Sequence, residues 1–357
     1  MTWREISAED VASLSRVCLI DVRSPCEYLA ENIPGSHNVP LFTDAERAEI
    51  GTIYAQEGEM VARRKALKII SPKISDLVEQ IAALRRSGAP LVVHCWRGGL
   101  RSEAVASCLS IVGIDCWRLT GGYKAFRRHI VAEFEAGTFN YQAVVVDGLT
   151  GSGKTELLGR LSERGQAVID LEKLANHRGS IFGALGLAAQ PSQKNFEAEL
   201  FFALKQMKDK LAANGFYFIE AESRKIGRLR VPDFLYLAIQ NSAKRIIVES
   251  NLRVRAERIL HDYLEGGGAF EKLPDSTDEL LLKAIELLGY VKGLSKELRL
   301  KISDQISQGK LRESVELILE TYYDPLYSRH FVDEPLLRVD GSDLDEAAEQ
   351  ILALLSA

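Results

Sequence analysis

At 357 residues and 46% hydrophobic content, the chain has material for two or three globular domains with sizeable cores. A net charge of −5 excludes a uniformly basic nucleic-acid binder, so any such partner needs a local basic face. No apolar run is long enough to span a bilayer, Met1–Ser7 carries no leader pattern, and five cysteines without a CxxC pair argue against a disulfide framework or a cysteine zinc site, so a cytoplasmic location with no membrane partner is expected.

The first twenty residues read as a short helical stretch and then a strand, Val17–Ile20, which ends in Asp21-Val22-Arg23 with Glu27-Tyr28 following. Ile33-Pro34-Gly35-Ser36-His37-Asn38 reads as a turn and short strand, its prolines and glycine fixing the backbone. Residues 43–87 are charged and mostly helical by pattern. Pro90–Val93 is a short apolar run, a buried strand, and it delivers His94-Cys95-Trp96-Arg97-Gly98-Gly99-Leu100-Arg101-Ser102 to the start of a helix. Two glycines let such a loop curl until successive N–H groups point inward as an anion nest. The helix N-terminus adds partial positive charge, which favours a thiolate at Cys95. Arg101 can fork onto an oxyanion, with Arg97 beside it. Asp115–Leu119 is a further strand, closed by Thr120-Gly121-Gly122-Tyr123-Lys124. Strands alternating with helices predict a parallel α/β domain.

These four motifs, in this order, resemble a rhodanese domain, whose loop cysteine carries a persulfide or related group. One departure stands out. The usual rhodanese loop is one residue shorter, and His-Cys-x5-Arg-Ser has the spacing of cysteine-dependent phosphatases. A phosphatase also needs a leaving-group acid, and Asp21 and Glu27 are the candidates.

A boundary is expected near Gly137, giving domains 1–137 and 138–357. Ala143–Asp147 is an almost wholly apolar strand running into Gly148-Leu149-Thr150-Gly151-Ser152-Gly153-Lys154-Thr155. This is G-x4-G-K-T, a phosphate-binding loop in its strand–loop–helix setting. Gly148, Gly151, Ser152 and Gly153 bring backbone N–H groups to a diphosphate, Lys154 adds a point charge, and Thr155 can ligate Mg2+. Strands are also expected at Ala167–Asp170, Phe216–Ile219, Arg245–Val248 and Leu336–Val339. Together they predict an α/β, phosphate-loop parallel-sheet domain with added helices. Glu220 or Glu222 follows the strand from Phe216 and could hold the metal's water shell; a solvated acidic strand end fits the same residues. His177 and Arg178 lie after the strand from Ala167, where such sheets face ligand, and fit a phosphate or base contact or a plain loop. Arg224, Lys225, Arg228 and Arg230 form one basic cluster. Arg253 and Arg255 sit in another and could fold over a diphosphate; either cluster could grip a nucleic-acid backbone. Residues 275–320 are helical by spacing and read as packing or a partner surface. Tyr322–Arg329 is aromatic and basic, so Tyr323 could stack on a base or pack in a core.

The whole chain resembles the tRNA 2-selenouridine synthase family. The resemblance is carried by the cysteine loop, Gly148–Thr155, Asn176–Ser180, Glu220–Gly227 and Tyr323–Tyr327. It implies replacement of sulfur by selenium in wobble 2-thiouridine of tRNA, with selenophosphate as selenium donor. It also implies geranyl transfer from geranyl diphosphate to that sulfur, with the S-geranyl nucleoside as intermediate. On this reading Cys95 accepts or guides selenium, Arg97 and Arg101 hold phosphate oxygens, and the phosphate loop binds geranyl diphosphate with Mg2+ in preference to ATP. A selenophosphate-producing enzyme becomes a partner. Three rival readings remain: an ATP-dependent sulfurtransferase, a cysteine-dependent phosphatase fused to a kinase-like domain, and a nucleotide-sensing module with a structural cysteine.

Overall fold

A computed structural model describes residues 3–85, 88–139, 141–265, 276–327 and 334–356. The chain forms two compact units, Met1–Thr138 with Glu197–Phe202, and Phe139–Phe196 with Ala203–Ala357. Each has its own parallel sheet, so the expected α/β class is what forms. No helix of the described residues is long and apolar enough to cross a membrane.

The first sheet contains β1 (Arg4–Ile6), β2 (Cys18–Asp21), β3 (His37–Asn38), β4 (Leu91–His94) and β5 (Trp117–Leu119), in the order β1-β5-β4-β2-β3. The central strands β2 and β4 are buried at every residue, as a sheet covered on both faces requires. Helices Ile74–Leu84 and Leu100–Ile111 contribute Leu77, Val78, Ile81, Val105 and Leu109 to one core with Ile20 and Val93. The stretch before β2 is more than a helix. Arg4–Ile6 pairs in parallel with β5 ahead of helix Ala8–Ser13, and so short and exposed an edge strand leaves no alternation to read.

The second sheet contains β6 (Gln142–Asp147), β7 (Val168–Ile169), β8 (Phe216–Glu220), β11 (Arg245–Glu249) and β12 (Leu337–Asp340), in the order β12-β11-β6-β8-β7, all parallel. Helices Lys154–Glu163 and Leu344–Ser356 pack Leu157, Leu161, Ala348 and Ile351 against it. The basic cluster from Arg224 to Arg230 folds into a hairpin of β9 (Lys225–Ile226) and β10 (Leu229–Arg230), with Gly227 at φ +57° turning the chain.

Between β11 and β12 the chain detours through helices Leu252–Leu260, Thr277–Leu288, Lys296–Ser307 and Leu311–Ile318. They share an apolar cluster of Leu288, Val291, Ile302, Ile318 and Leu319. Two wide π turns, His261–Glu265 and Leu319–Tyr323, extend the first and last of these helices.

Candidate functional site

The cysteine loop is held by a second loop. Tyr123 N–H donates to the Cys95 carbonyl at 2.9 Å and Lys124 N–H to the Trp96 carbonyl at 3.0 Å. Gly98 has φ +64°, and a side chain there would stand 2.7 Å from the Leu119 carbonyl, so only glycine fits this crossing. Cys95 is buried, its Sγ 3.3 Å from the Ser102 hydroxyl, which also lies 3.1 Å from the Gly99 carbonyl as donor. Among the described residues, the backbone N–H groups of residues 96 to 101 have no protein acceptor. Helix Leu100–Ile111 begins inside this run, so its first N–H groups are among these donors.

Arg101 grips the Glu27 carboxylate two-pronged, at 2.5 and 3.2 Å. Glu27 also accepts from Ser24 N–H at 3.2 Å in a capping box. Arg97 is exposed and has no partner among the described residues. Asp21 and Arg23 form a fully buried ion pair at 2.6 Å, with the guanidinium 4.5 Å from the Tyr123 ring centre. Burial pushes the Asp21 carboxyl up, but attraction to His94 and Arg23 outweighs it and leaves the net shift downward. Glu27 is likewise raised by burial and pulled lower overall by Arg101. The two carboxyls that could have served as a phosphatase acid are therefore ionised and committed to guanidinium partners.

Replacing Asp21 by asparagine strands the buried Arg23 charge and is expected to cost about 3–5 kcal/mol, read by denaturant unfolding. Because the folded pKa lies below the unfolded one, the stability Asp21 adds is complete above about pH 4 and is lost as pH falls through the folded value. The Asp21→Asn protein should lack that part of the acid transition.

In the second unit, β6 runs into the phosphate loop, where Gly148, Gly151 and Gly153 have φ of +150°, +77° and +102°. Lys154 Nζ donates to the Gly148 and Leu149 carbonyls at 2.8 and 3.1 Å, spanning the loop it serves. Ser152 is buried beneath the loop, its carbonyl accepting from Ser250 at 3.0 Å. Thr155 Oγ1 lies 3.3 Å from Glu172 of helix Leu171–Ala175, a residue the sequence reading did not single out. Glu172 is pushed up to about 8 by burial and by the nearby Glu222 charge. Glu220 does not line the cavity. It is fully buried and accepts from Glu172 N–H at 2.8 Å, so it orients Glu172 from behind.

Thr155, Glu172 and Glu222 offer a hydroxyl and two crowded carboxylates beside Lys154. Among the described residues no cage of three or more His, Cys, Asp or Glu exists. Mg2+ needs none, since it takes one or two carboxylates and fills its shell with water and phosphate oxygens. The donor set therefore fits Mg2+, which would neutralise charge on a bound diphosphate.

Lys154, Thr155, Glu172 and Glu222 line one cavity of about 840 Å3. Its lining joins the loop, Glu172 and Glu222 to an aliphatic stretch, built from Leu280, Ala284 and Leu288 on one helix face and Ile302, Val315 and Ile318 on its neighbours. Both π turns reach it, through Tyr263 and Leu264 and through Leu319 and Tyr323.

Two family models match the chain. One, described as the tRNA 2-selenouridine synthase AAA domain, covers residues 141–339, and a rhodanese-like domain covers 4–129. The tRNA 2-selenouridine synthase of Cupriavidus necator is 36% identical over 88% of both chains. Those of Shewanella denitrificans and Bdellovibrio bacteriovorus are 34% and 29% identical, covering 92% of this chain and 92% and 93% of their own. The chain belongs to the tRNA 2-selenouridine synthase family.

For a member of this family, the expected arginines fall in unexpected places. Arg253 is exposed and paired with Glu257 one turn on, away from the cavity. Arg255 is buried and closes no lid: it donates to the Thr150 carbonyl at 2.8 Å and holds Asp324 two-pronged at 2.6 and 3.0 Å. Of Arg253, Arg255 and Arg258, it is Arg258 that lines the cavity, donating to the Gly151 and Gly341 carbonyls at 3.0 and 2.9 Å. Arg255→Ala is expected to cost about 1–3 kcal/mol in denaturant unfolding, by leaving the Asp324 carboxylate and the Thr150 carbonyl without their donor.

Arg178 lines the cavity but is spent on the Leu185 and Asp262 carbonyls and stacks 4.4 Å over Tyr263. His177 is buried outside the cavity, against Gly183 and Gly227, where burial lowers its pKa. Tyr323 is buried in the cavity wall, as core packing requires. Arg224 and Arg230 share Asp233, Arg228 bonds the Gln190 carbonyl, and Lys225 is exposed, so the hairpin carries its cations on the surface. Of the Tyr322–Arg329 motif, Ser328 and Arg329 lie outside the described residues.

Proposed function

We propose that this chain converts wobble 2-thiouridine of tRNA to 2-selenouridine by way of an S-geranyl intermediate. The relatives' names support the overall conversion. The observation that carries the geranyl step is the cavity: a phosphate loop opening onto aliphatic walls. An allylic diphosphate has the matching halves, an anionic head and a branched apolar tail. A nucleotide would present its ribose and base to the same Leu and Ile side chains and leave their polar edges unpaired.

In the first stage the thiocarbonyl sulfur attacks C1 of geranyl diphosphate. The C–S bond forms, the C1–O bond breaks with its electron pair leaving on diphosphate, and the N3 proton passes to solvent. Lys154 and the N–H groups of the phosphate loop hold the charge that develops on the departing diphosphate. Thr155, Glu172 and Glu222 would hold Mg2+, which would supply further neutralising charge there. The sulfur is now an alkylated leaving group. In the second stage a selenium nucleophile adds at C2 and expels geranylthiolate, with Cys95, Arg97 and Arg101 handling selenophosphate. The exposed cations of the β9–β10 hairpin suit the tRNA backbone.

Nucleoside mass analysis tests the proposal. Purified protein with 2-thiouridine tRNA, geranyl diphosphate and Mg2+ should add a geranyl mass. Adding selenophosphate should exchange it for selenium. Selenation with no geranyl requirement would remove the intermediate. An unchanged tRNA, with ATP hydrolysis stimulated by it, would favour ATP-driven sulfur transfer.

A further inference from the structure

We infer that Cys95 attacks the phosphorus of selenophosphate, not its selenium, forming a phosphocysteine and releasing hydrogen selenide. This rests on selenophosphate being the donor, as proposed above.

The loop is built for a phosphoryl group. Five residues separate Cys95 from Arg101, and the N–H groups of residues 96 to 101 have no acceptor among the described residues. Three phosphoryl oxygens could draw on such a run of donors, whereas a lone selenium atom on sulfur would leave most of them unmet. Arg101 already shows the fork geometry on an oxyanion, its bidentate grip on the Glu27 carboxylate.

Electron balance points the same way. If the thiolate attacked selenium, the P–Se electron pair would stay on phosphorus and phosphite would form, so release of phosphate would need an added oxidant. Attack at phosphorus forms the S–P bond and breaks the P–Se bond, and its electron pair leaves on selenium. Selenium departs as HSe− after taking one proton from solvent, and no element changes oxidation state. Water then attacks phosphorus, the S–P pair returns to sulfur, and inorganic phosphate leaves. The product HSe− is the nucleophile the second stage requires.

The surrounding side chains suit this leaving group. An alkyl or aryl phosphate needs a proton donor for its oxygen, and Asp21 and Glu27 are both tied into guanidinium pairs. A selenide anion leaves without one. Ser102, buried with its hydroxyl 3.3 Å from Sγ, can turn the proton it gives the Gly99 carbonyl toward the sulfur as the thiolate departs.

The test uses the full chain and selenophosphate without tRNA, quenched in acid and analysed by peptide mass spectrometry. The expected result is a phosphoryl mass on the Cys95 peptide, with selenide in solution. In Ser102→Ala the phosphorylated fraction should rise several-fold, because departure of the thiolate is slowed, and Ser102→Thr should restore the original level. The isotope pattern of selenium on Cys95 would overturn the inference. So would an unmodified Cys95 with phosphate released only when S-geranyl tRNA is present. Phosphocysteine formation without any selenation of S-geranyl tRNA would uphold this step and remove the donor assignment on which the proposed function depends.

Discussion

Lys154→Ala is expected to slow geranyl transfer by about 10^2–10^3-fold, the usual loss when one donor to developing charge is removed. The ammonium lies on the Gly148 and Leu149 carbonyls, at the mouth of the loop that would receive the diphosphate. It is also the positive charge that opposes the raised Glu172 and Glu222 carboxyls. Removing it therefore weakens the head site twice, by losing a donor and by leaving the acidic wall uncompensated. Single-turnover transfer with 2-thiouridine tRNA measures the loss. The same variant given tRNA already S-geranylated should still install selenium, because that stage draws on the Cys95 loop. Equal loss in both stages would show that the phosphate loop is not confined to prenyl transfer but serves selenium chemistry as well.

Ala284→Phe is expected to reduce use of geranyl diphosphate by about 100-fold or more, by filling the space that the prenyl tail needs. Ala284 lies between Leu280 and Leu288 on one face of helix Thr277–Leu288 and is the small residue of that cavity-lining row. It is half-buried, so the ring can be taken up by the cavity without opening the core cluster around Leu288 and Ile302. Inorganic diphosphate, which has no tail, should raise the melting temperature of parent and variant alike. Transfer from geranyl diphosphate at the parent rate would show that the tail lies elsewhere.

Much of the framework was legible because buried parallel strands advertise themselves. Leu91–His94 and Gln142–Asp147 are apolar runs ending in loops of defined chemistry, and both loops stand where their flanking strands place them. What stayed hidden depends on residues far apart in sequence. Arg255 reads as one more cation in a basic stretch until Asp324, 69 positions on, takes both its prongs. Arg101 and Glu27 are 74 positions apart. Glu172 reaches Thr155 only because β7 pairs with β8 and sets the following helix beside the phosphate loop. The Leu280–Ala284–Leu288 row shows helical spacing, but periodicity cannot separate the wall of a cavity from a packed core. The edge strand Arg4–Ile6 and the hairpin at Lys225–Arg230 are too short to leave a pattern.

The head and tail of the cavity come from different parts of the chain. Sheet ends and the glycine loop make the first; the helical detour between β11 and β12 makes the second. Substitutions in the detour can reshape the apolar wall while the strands that set the loop's curvature stay fixed. On the proposed reading, this division would let the apolar wall change to suit longer, shorter or differently branched chains while the loop that holds the diphosphate stays fixed. The same division marks out the detour as the natural cassette to exchange between relatives when a new tail is wanted.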